Sequence, residues 1–506
     1  MRRLLVFILV SLLSPLAWAQ STLSGTVRTS DGVPLPQVAI VLEKPGSLRR
    51  VTTGPAGHYR IDGLASGDYV IRVEAPGLIL DGDARVNLGA DTRLDLTLKP
   101  APVREQIVVT ATRGDAPASA LGVSVSVLDR ERIREREASS FLDLLREVPG
   151  VTVARAGPLG SQSSAFVRGG ESNFARVLID GVPVNEAGGY YNFAAQFPLE
   201  LARVEVVRGA ASSLYGTDAL AGVIHLVTQR AGLDEKPSAS AEVEAGDFAW
   251  RRARGGTSGR AGRLDWNAGL VYLETDNEHP NSAFEQKAGA IALGAQLGER
   301  SSLRAVLRGE TSTAGTPGAV AYARPDRDAS SEHDELVASA AFRHARDRSA
   351  HELHAGIAST DQLSKNPLDS GSYLPRAGAR SAAFASSDFP NALGYQNDTR
   401  RLTLGYQLET QLGGSHLATA GAELERETGE IGDRSAPPFL SPQRTNVGAY
   451  VQDRITLWRR LALTLGGRVE RNDSFGTRAV PRAAAAWRVG AASRATTLRA
   501  SAGAGI

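Results

Sequence analysis

Residues 263–273, RLDWNAGLVYL, set Leu264, Trp266, Ala268, Leu270 and Tyr272 at alternate positions, with Arg263, Asp265 and Asn267 between them. Successive side chains of a β-strand point to opposite faces, so this stretch predicts a strand with one apolar and one polar face. The theme recurs: Leu303, Ala305 and Leu307 alternate with Arg304 and Arg308, and Leu402, Leu404, Tyr406 and Leu408 with Thr403, Gln407 and Glu409. From Lys236 to Ile506, segments of about ten residues repeat the alternation between Gly, Asp and Asn turns, as in a transmembrane antiparallel β-barrel with lipid outside and a wet lumen inside. A soluble sandwich shares the period, but its strands usually run to about six residues. Short links such as 298–300 alternate with long polar ones at 311–334, 359–399 and 428–445, and barrels turn the long connections outward.

Upstream the grammar changes twice. Residues 104–232 mix a helix with strands: Ile133, Phe141, Leu144, Leu145 and Val148 are spaced along 129–148 as on one helical face, and Pro149-Gly150 ends it. Further hydrophobic runs lie at 165–170, 177–181, 204–209 and 223–228, with Asp180-Gly181 as a tight-turn signal. Residues 20–99 instead alternate short β-type runs with Gly and Pro turns, which predicts a small sandwich. Pro100 and Pro102 mark a linker, assigned to 100–112. Within it Glu105, Gln106, Ile107, Val108, Val109, Thr110 and Ala111 form a β-prone run standing alone.

At the start, Arg2 and Arg3 precede an apolar run, 4–16, that ends in Ala17-Trp18-Ala19. This predicts a signal peptide over 1–19, too short in its apolar core to span a bilayer. No later run approaches the roughly 18 apolar residues of a spanning helix. The 506 residues contain no Cys, which removes disulfides and thiolate metal sites, and a net charge of +2 gives no footprint for nucleic acid. No Ser-His-Asp set, HExxH motif or paired-carboxylate signature stands out, so no catalytic residue, metal site, cofactor or enzymatic activity is expected.

Two resemblances sharpen these readings. GTVRTSDGVPLPQVAIVLE followed by TTGPAGHYRIDGLASGDYVIRVEAPG resembles the carboxypeptidase-regulatory-like domain, an immunoglobulin-like fold of the carbohydrate-binding-like group. That resemblance implies a strand opened by Gly57 to Tyr59, with Tyr59 packing inward, and favours a structural or docking module over a glycan site. PGVTVARAGPLGSQSSAFVRGGESNFARVLIDGVPVNE and FPLELARVEVVRGAASSLYGTDALAGVIHLVT resemble the plug domain of TonB-dependent outer-membrane receptors, and EQIVVTATR resembles the TonB box with its continuation. Ala210 departs from the Pro many members carry there. The whole then reads as mainly β: sandwich, α+β plug over 104–232, and a barrel of the twenty-two-strand type.

The resemblance also implies sites and partners. The TonB box pairs as an added strand with TonB of the TonB–ExbB–ExbD energy-transducing complex, on the periplasmic side with the N-terminal domain; an ordinary first plug strand is the alternative. Arg168 and Arg208, with Glu205 nearby, would hold the plug against barrel carboxylates such as Glu409, Glu423 or Glu470; anchoring of turns is the alternative. Ligand would meet the outward loops 156–164 and 185–193, with Asn185, Tyr190, Tyr191, Asn192 and Phe193 as contacts, unless that Tyr-rich loop is simply packed. A ferric siderophore or cobalamin-type ligand ranks ahead of a glycan, and a non-transporting adhesin or signalling receptor is the second class. Roughly thirteen strands fit into 236–506, whereas plugged transporters have about twenty-two. The reading is therefore of an incomplete barrel, from a truncated gene product or a partial sequence.

Overall fold

In the computed structural model, a 13-stranded antiparallel sheet runs in chain order from Ser238–Ala245 to Thr496–Gly503, which form its two edges. The structure describes residues 20–44, 47–75, 78–82, 85–100, 107–194, 196–232, 235–318, 326–369, 371–374, 376–377, 380–381, 388–490 and 496–506. The expected signal peptide lies outside the described residues, as do Glu105 and Gln106 of the expected TonB box. The described helices include none long and apolar enough to cross a membrane.

Alternation sorts the sheet's two faces as the sequence expects. Leu264, Leu270, Leu303, Leu307, Leu402, Leu404 and Tyr406 are exposed on one face, whereas Asn267, Arg308 and Thr403 are buried on the other. Strand length differs from the expectation of about ten residues: Ser238–Ala245 has 8 and Asn391–Leu412 has 22. In 395–400, Tyr-Gln-Asn-Asp-Thr-Arg, the apolar alternation has stopped, yet pairing continues from Tyr395 opposite Asp433 to Arg400 opposite Thr428. A backbone ladder needs no apolar face once it leaves hydrocarbon. The long connections shrink accordingly to 316–329, 367–390 and 434–442, all at one end of the sheet.

Against the inner face lies the mixed α+β domain. Its five-stranded sheet orders Ser124–Asp129, Leu201–Arg208, Gly222–Thr228, Ala175–Ile179 and Val182–Pro183, with Ala175–Ile179 parallel to Gly222–Thr228. The single helix expected over 129–148 is two helices, Arg130–Arg136 and Phe141–Leu145. Asp129 caps the first by accepting the Arg132 N–H at 3.0 Å, and Glu137, at φ 44° in the left-handed region, ends it. Ser139 and Ser140 then favour a new start over continuation. Ile133, Phe141, Leu144, Leu145 and Val148 nonetheless all reach one core, because the break preserves their common face. Asp180 and Gly181, at φ 46° and 85°, make the tight turn expected of that pair.

The N-terminal unit, Met1–Arg104, is compact in itself. Two sheets, one centred on Gln20–Thr29 and one on Ala39–Lys44 with Gly67–Glu74, enclose Leu23, Val27, Ile40, Leu42, Tyr69, Ile71 and Leu98. His58–Ala65 is a strand, and within it Tyr59 is buried with its hydroxyl donated to the Leu94 carbonyl at 2.7 Å. Gly57 sits at φ 73°, and a Cβ there would stand 2.6 Å from the Val27 carbonyl oxygen, so the turn needs glycine.

Candidate functional site

Buried charge joins the plug to the wall. Arg176 projects from the strand Ala175–Ile179, whose every residue is buried, and pairs with wall Glu425. Glu425 also pairs with wall Arg401, which pairs with Glu427; Arg444 bonds Glu427 at 2.9 Å and plug Asp218 at 2.7 Å. A second net begins at Arg113, which pairs with wall Glu423 and lies over the Tyr215 and Tyr450 rings at 4.4 and 4.8 Å. Burial works against the Arg113 charge, but Glu423 and the two tyrosines hold its pKa above the usual guanidinium value. Glu423 continues to Arg468 at 2.8 Å and from there to Glu470, which accepts the Thr217 hydroxyl at 2.6 Å.

These pairs correct the expected anchors. Arg168 donates to Ser124 Oγ at 3.0 Å, and Arg208 donates to the Pro149 carbonyl, so both tie plug turns rather than reach the wall. Each precedes a positive-φ glycine, Gly169 or Gly209, and the chain turns back before the side chain can extend. Glu205 is wholly buried inside the plug, where it pairs with Arg203 at 2.5 Å. Of the three wall carboxylates expected as partners, Glu423 and Glu470 meet the plug through Arg113 and Thr217. The signal for Arg176 is a charge inside an apolar strand, and for Glu425 the run Glu423, Glu425, Glu427 at every second position on the polar face.

The β-prone run near the plug's start does not stand alone. Ile107–Val108 pairs antiparallel with Ala116–Pro117, and Val108 is fully buried. Val109 and Thr110 donate their N–H groups to the Glu205 carboxylate at 3.0 and 2.7 Å. Burial pushes Glu205 up, but His225, Arg203 and the Thr110 hydrogen bonds prevail and hold it below the ordinary carboxylate range. Wall side chains grip the neighbouring residues 111–115: Arg482 donates to the Ala111 carbonyl at 3.1 Å, Gln452 to Thr112 at 3.2 Å and Arg454 to Asp115 at 3.0 Å.

At the end bearing the long connections, the expected ligand residues divide. Asn185 is buried, accepting the Val177 N–H at 2.8 Å and donating to the Ala175 and Gly189 carbonyls. Asn192 Oδ1 accepts the Ser163 and Ala194 N–H groups at 3.0 and 3.1 Å. Tyr191 packs edge-on against Phe193 at 4.7 Å, and Phe193 stacks on Phe141. These four side chains therefore build the loop, with Asn192 half-buried, and of the five Tyr190, 52% exposed, is the one that stands out into solvent. The loop 156–164 contributes Ala156 to Leu159 to a cavity of about 1020 Å³, shared with Phe248, Trp250, Asn277 and His279 of the wall. Glu186 links loop and wall, accepting from Gln362 and Asn397 at 2.7 Å each, and burial raises its pKa.

A broad β-wall stoppered by a separate domain, charge-tethered at the seam, defines the class of gated outer-membrane receptors. Residues 250–506 match the family model "TonB dependent receptor-like, beta-barrel", residues 117–223 the "TonB-dependent Receptor Plug Domain", and residues 22–99 the "Carboxypeptidase regulatory-like domain". The chain belongs to the TonB-dependent receptor family. It is 37% identical over 170 residues to a vitamin B12 transporter of Vibrio vulnificus (strain CMCP6), a match covering 33% of this chain and 27% of the transporter. Its fold is similar to the ferripyoverdine receptor of the Pseudomonas aeruginosa outer membrane, with TM-score 0.64 and 17% identity over 82% of this chain and 61% of that one. The ferric enterobactin receptor of the same species gives TM-score 0.60 and 18% identity, covering 76% and 62% of the two chains. The chain thus spans about a quarter of the transporter and about three fifths of the solved receptors.

Proposed function

We propose that the chain is the plugged part of an energised outer-membrane importer for a scarce ligand, either a ferric siderophore or a cobalamin-type molecule. The observation that carries this reading is the seam itself: a domain held inside a wall by buried ion pairs, with the segment 107–111, a two-residue strand running into a turn, at the end opposite the long connections. The outer membrane has no ATP, so opening such a seam requires work delivered mechanically. Residues 107–111 suit strand addition to TonB, since backbone hydrogen bonds carry affinity in that mode. Ligand would enter from the side of Tyr190 and the 156–164 loop, and the N-terminal sandwich would lie in the periplasm. The ligand classes are supported by those of the relatives, a vitamin B12 transporter and receptors for ferric chelates.

Cells expressing a full-length receptor should accumulate the cobalamin or ferric chelate only when TonB is present. Growth under cobalamin limitation and under iron limitation separates the two ligand classes. Equal accumulation without TonB, or binding with no accumulation in either background, would overturn the reading in favour of a passive pore or an adhesin.

A further inference from the structure

Three of the eight histidines, His344, His351 and His416, sit beside short links of the wall, and two of them meet. His344 lies near the end of the strand Ser330–Ala345 and His351 near the start of the next, Ser349–Asn366, and the register sets them directly opposite each other. Directly opposed side chains in an antiparallel pair have Cβ atoms about 4.5–5.5 Å apart. Both lie on the face that exposes the wall's leucines: His344 is two residues beyond Phe342, which pairs with exposed Leu303, and His351 is two before exposed Leu353.

Each ring is held through one nitrogen. His344 Nδ1 lies 2.9 Å from the Ser301 hydroxyl oxygen, and His351 Nδ1 lies 2.8 Å from that of Tyr406. A hydroxyl accepts as readily as it donates, so with the proton on Nδ1 each ring donates to its hydroxyl and keeps a lone pair on Nε2. Metal-binding imidazoles are oriented in this way, the N–H remote from the ion donating to an oxygen that fixes tautomer and direction. No described residue bonds Nε2 of either ring, and both side chains are half-buried, within reach of water. His416 differs: Asp453 stands 2.6 Å from its Nδ1, and the residues opposite it on the neighbouring strands are Leu412 and Ile455.

We propose that His344 and His351 form a two-imidazole site for a divalent transition-metal ion, bound through the two Nε2 atoms. Imidazole nitrogens suit Cu²⁺, Ni²⁺ and Zn²⁺, with Cu²⁺ bound most tightly of the three. Among the described residues no group of three or more His, Cys, Asp or Glu side chains is arranged for a metal, so water completes the coordination shell and the ion exchanges freely. Two of the neighbouring guanidiniums are already paired, Arg300 with Asp347 at 3.2 Å and Arg343 with Glu352 at 3.6 Å. Arg346 and Arg348 of the link add positive charge, which salt screens at a site open to water. An ion held here staples two strands at the short-link end of the wall, and the site depends on neither TonB nor the imported ligand.

Copper(II) alone is the probe, added to the full chain in detergent micelles at about pH 7.5 in a buffer that does not chelate it. Frozen-solution EPR should show a tetragonal Cu²⁺ signal with two nitrogen ligands. His344→Asn and His351→Asn should each weaken copper binding at least about tenfold, and the double variant should lose less than the two factors multiplied, because the first removal already ends chelation. Gln at either position is the alternative where Asn impairs folding. At acid pH the affinity should fall about 100-fold per pH unit, since two imidazole protons compete with one ion, and about tenfold per unit in either single variant. His416→Asn is the control and should leave the affinity unchanged. A signal with one nitrogen ligand, single variants that halve the number of ions bound without changing affinity, or an equal loss in His416→Asn would each overturn the site and leave adventitious surface binding only.

Discussion

Glu425→Gln is the most informative single change at the seam. Arg176, Arg401 and Arg444 face Asp218, Glu425 and Glu427, so three guanidiniums meet three carboxylates and the net is neutral. The amide keeps the shape of Glu425 but leaves one excess positive charge between Arg176 and Arg401, whose side chains are 5% and 1% exposed. Removing one partner of a buried pair costs about 3–5 kcal/mol, because the other charge stays desolvated. At about 1.4 kcal/mol per decade the plug's release constant should rise roughly 10²- to 10⁴-fold. With urea slopes of about 1–3 kcal/mol/M, the plug's unfolding midpoint should fall by roughly 1–5 M. No tryptophan lies between residues 107 and 232, so tryptophan fluorescence follows the wall and a fluorophore at Phe174→Cys follows the plug. Adding Arg176→Met to Glu425→Leu leaves Arg401 and Arg444 against Asp218 and Glu427, again neutral, and should recover at least about half the loss. A plug midpoint unchanged in the Gln variant, or a double variant worse than the single, would refute the reasoning.

Single contacts elsewhere carry testable consequences of their own. His225 and Glu205 both titrate below their ordinary ranges, so each contributes stability that is complete above its unfolded pKa and lost as pH falls through the folded one. Plug stability measured by the Phe174 label should therefore begin to fall below about pH 6.5 and fall further below about pH 4.5, and His225→Phe should remove the first step. Tyr190→Ala should weaken ligand binding by titration calorimetry about tenfold with plug stability intact, whereas Tyr191→Ala should cost about 3–5 kcal/mol of plug stability as a buried aromatic is lost. In the N-terminal unit, Gly25→Ala would place a Cβ 1.8 Å from the Leu94 carbonyl oxygen, so limited proteolysis should cut that unit faster while leaving the wall's resistance unchanged.

Period two makes the wall legible, because lipid and lumen act on every residue of a spanning strand; where Tyr395 to Arg400 rise beyond that two-sided solvent, the pattern lapses and the strand reads as loop. The helix break at Glu137 is hidden since Ile133 and Phe141 keep one face across it, and a left-handed residue leaves no mark on hydrophobic spacing. The anchors escape sequence reasoning on related grounds. Arg168 and Arg208 are conspicuous beside glycines, which report local turns, whereas the pairing of Arg176 with Glu425 joins residues 249 apart and depends on register in two sheets at once. The loop 185–193 offers aromatic residues, but whether Tyr190 or Tyr191 faces outward is decided by the two positive-φ glycines before them, at 99° and 86°.

The composition of the seam also bears on how a plug can leave. An apolar seam of equal area would expose hydrocarbon on both surfaces at about 25 cal/mol/Å² once parted, and would close again or aggregate. The described seam carries that at one patch, where Phe197 and Leu199 of the plug pack with Val271, Leu273 and Phe284 of the wall; in the two large plug cores the wall's members are Val337, Ala358, Tyr450 and Ala484. Its buried ion pairs regain hydration when separated, so away from that patch parting the surfaces leaves two wet faces, and the net worth of each pair is small although breaking one alone is expensive. Such a seam holds register tightly against a single lost charge and yields when all its pairs are drawn into water together. A pull on residues 107–111 first meets Glu205, then the Arg482 and Gln452 bonds to residues 111 and 112 and the Arg113–Glu423 pair, before the Arg176 net. Sequential loading of small polar nets is what the distribution of charge along the plug allows, with the Phe197–Leu199 patch as the apolar contact still to be parted.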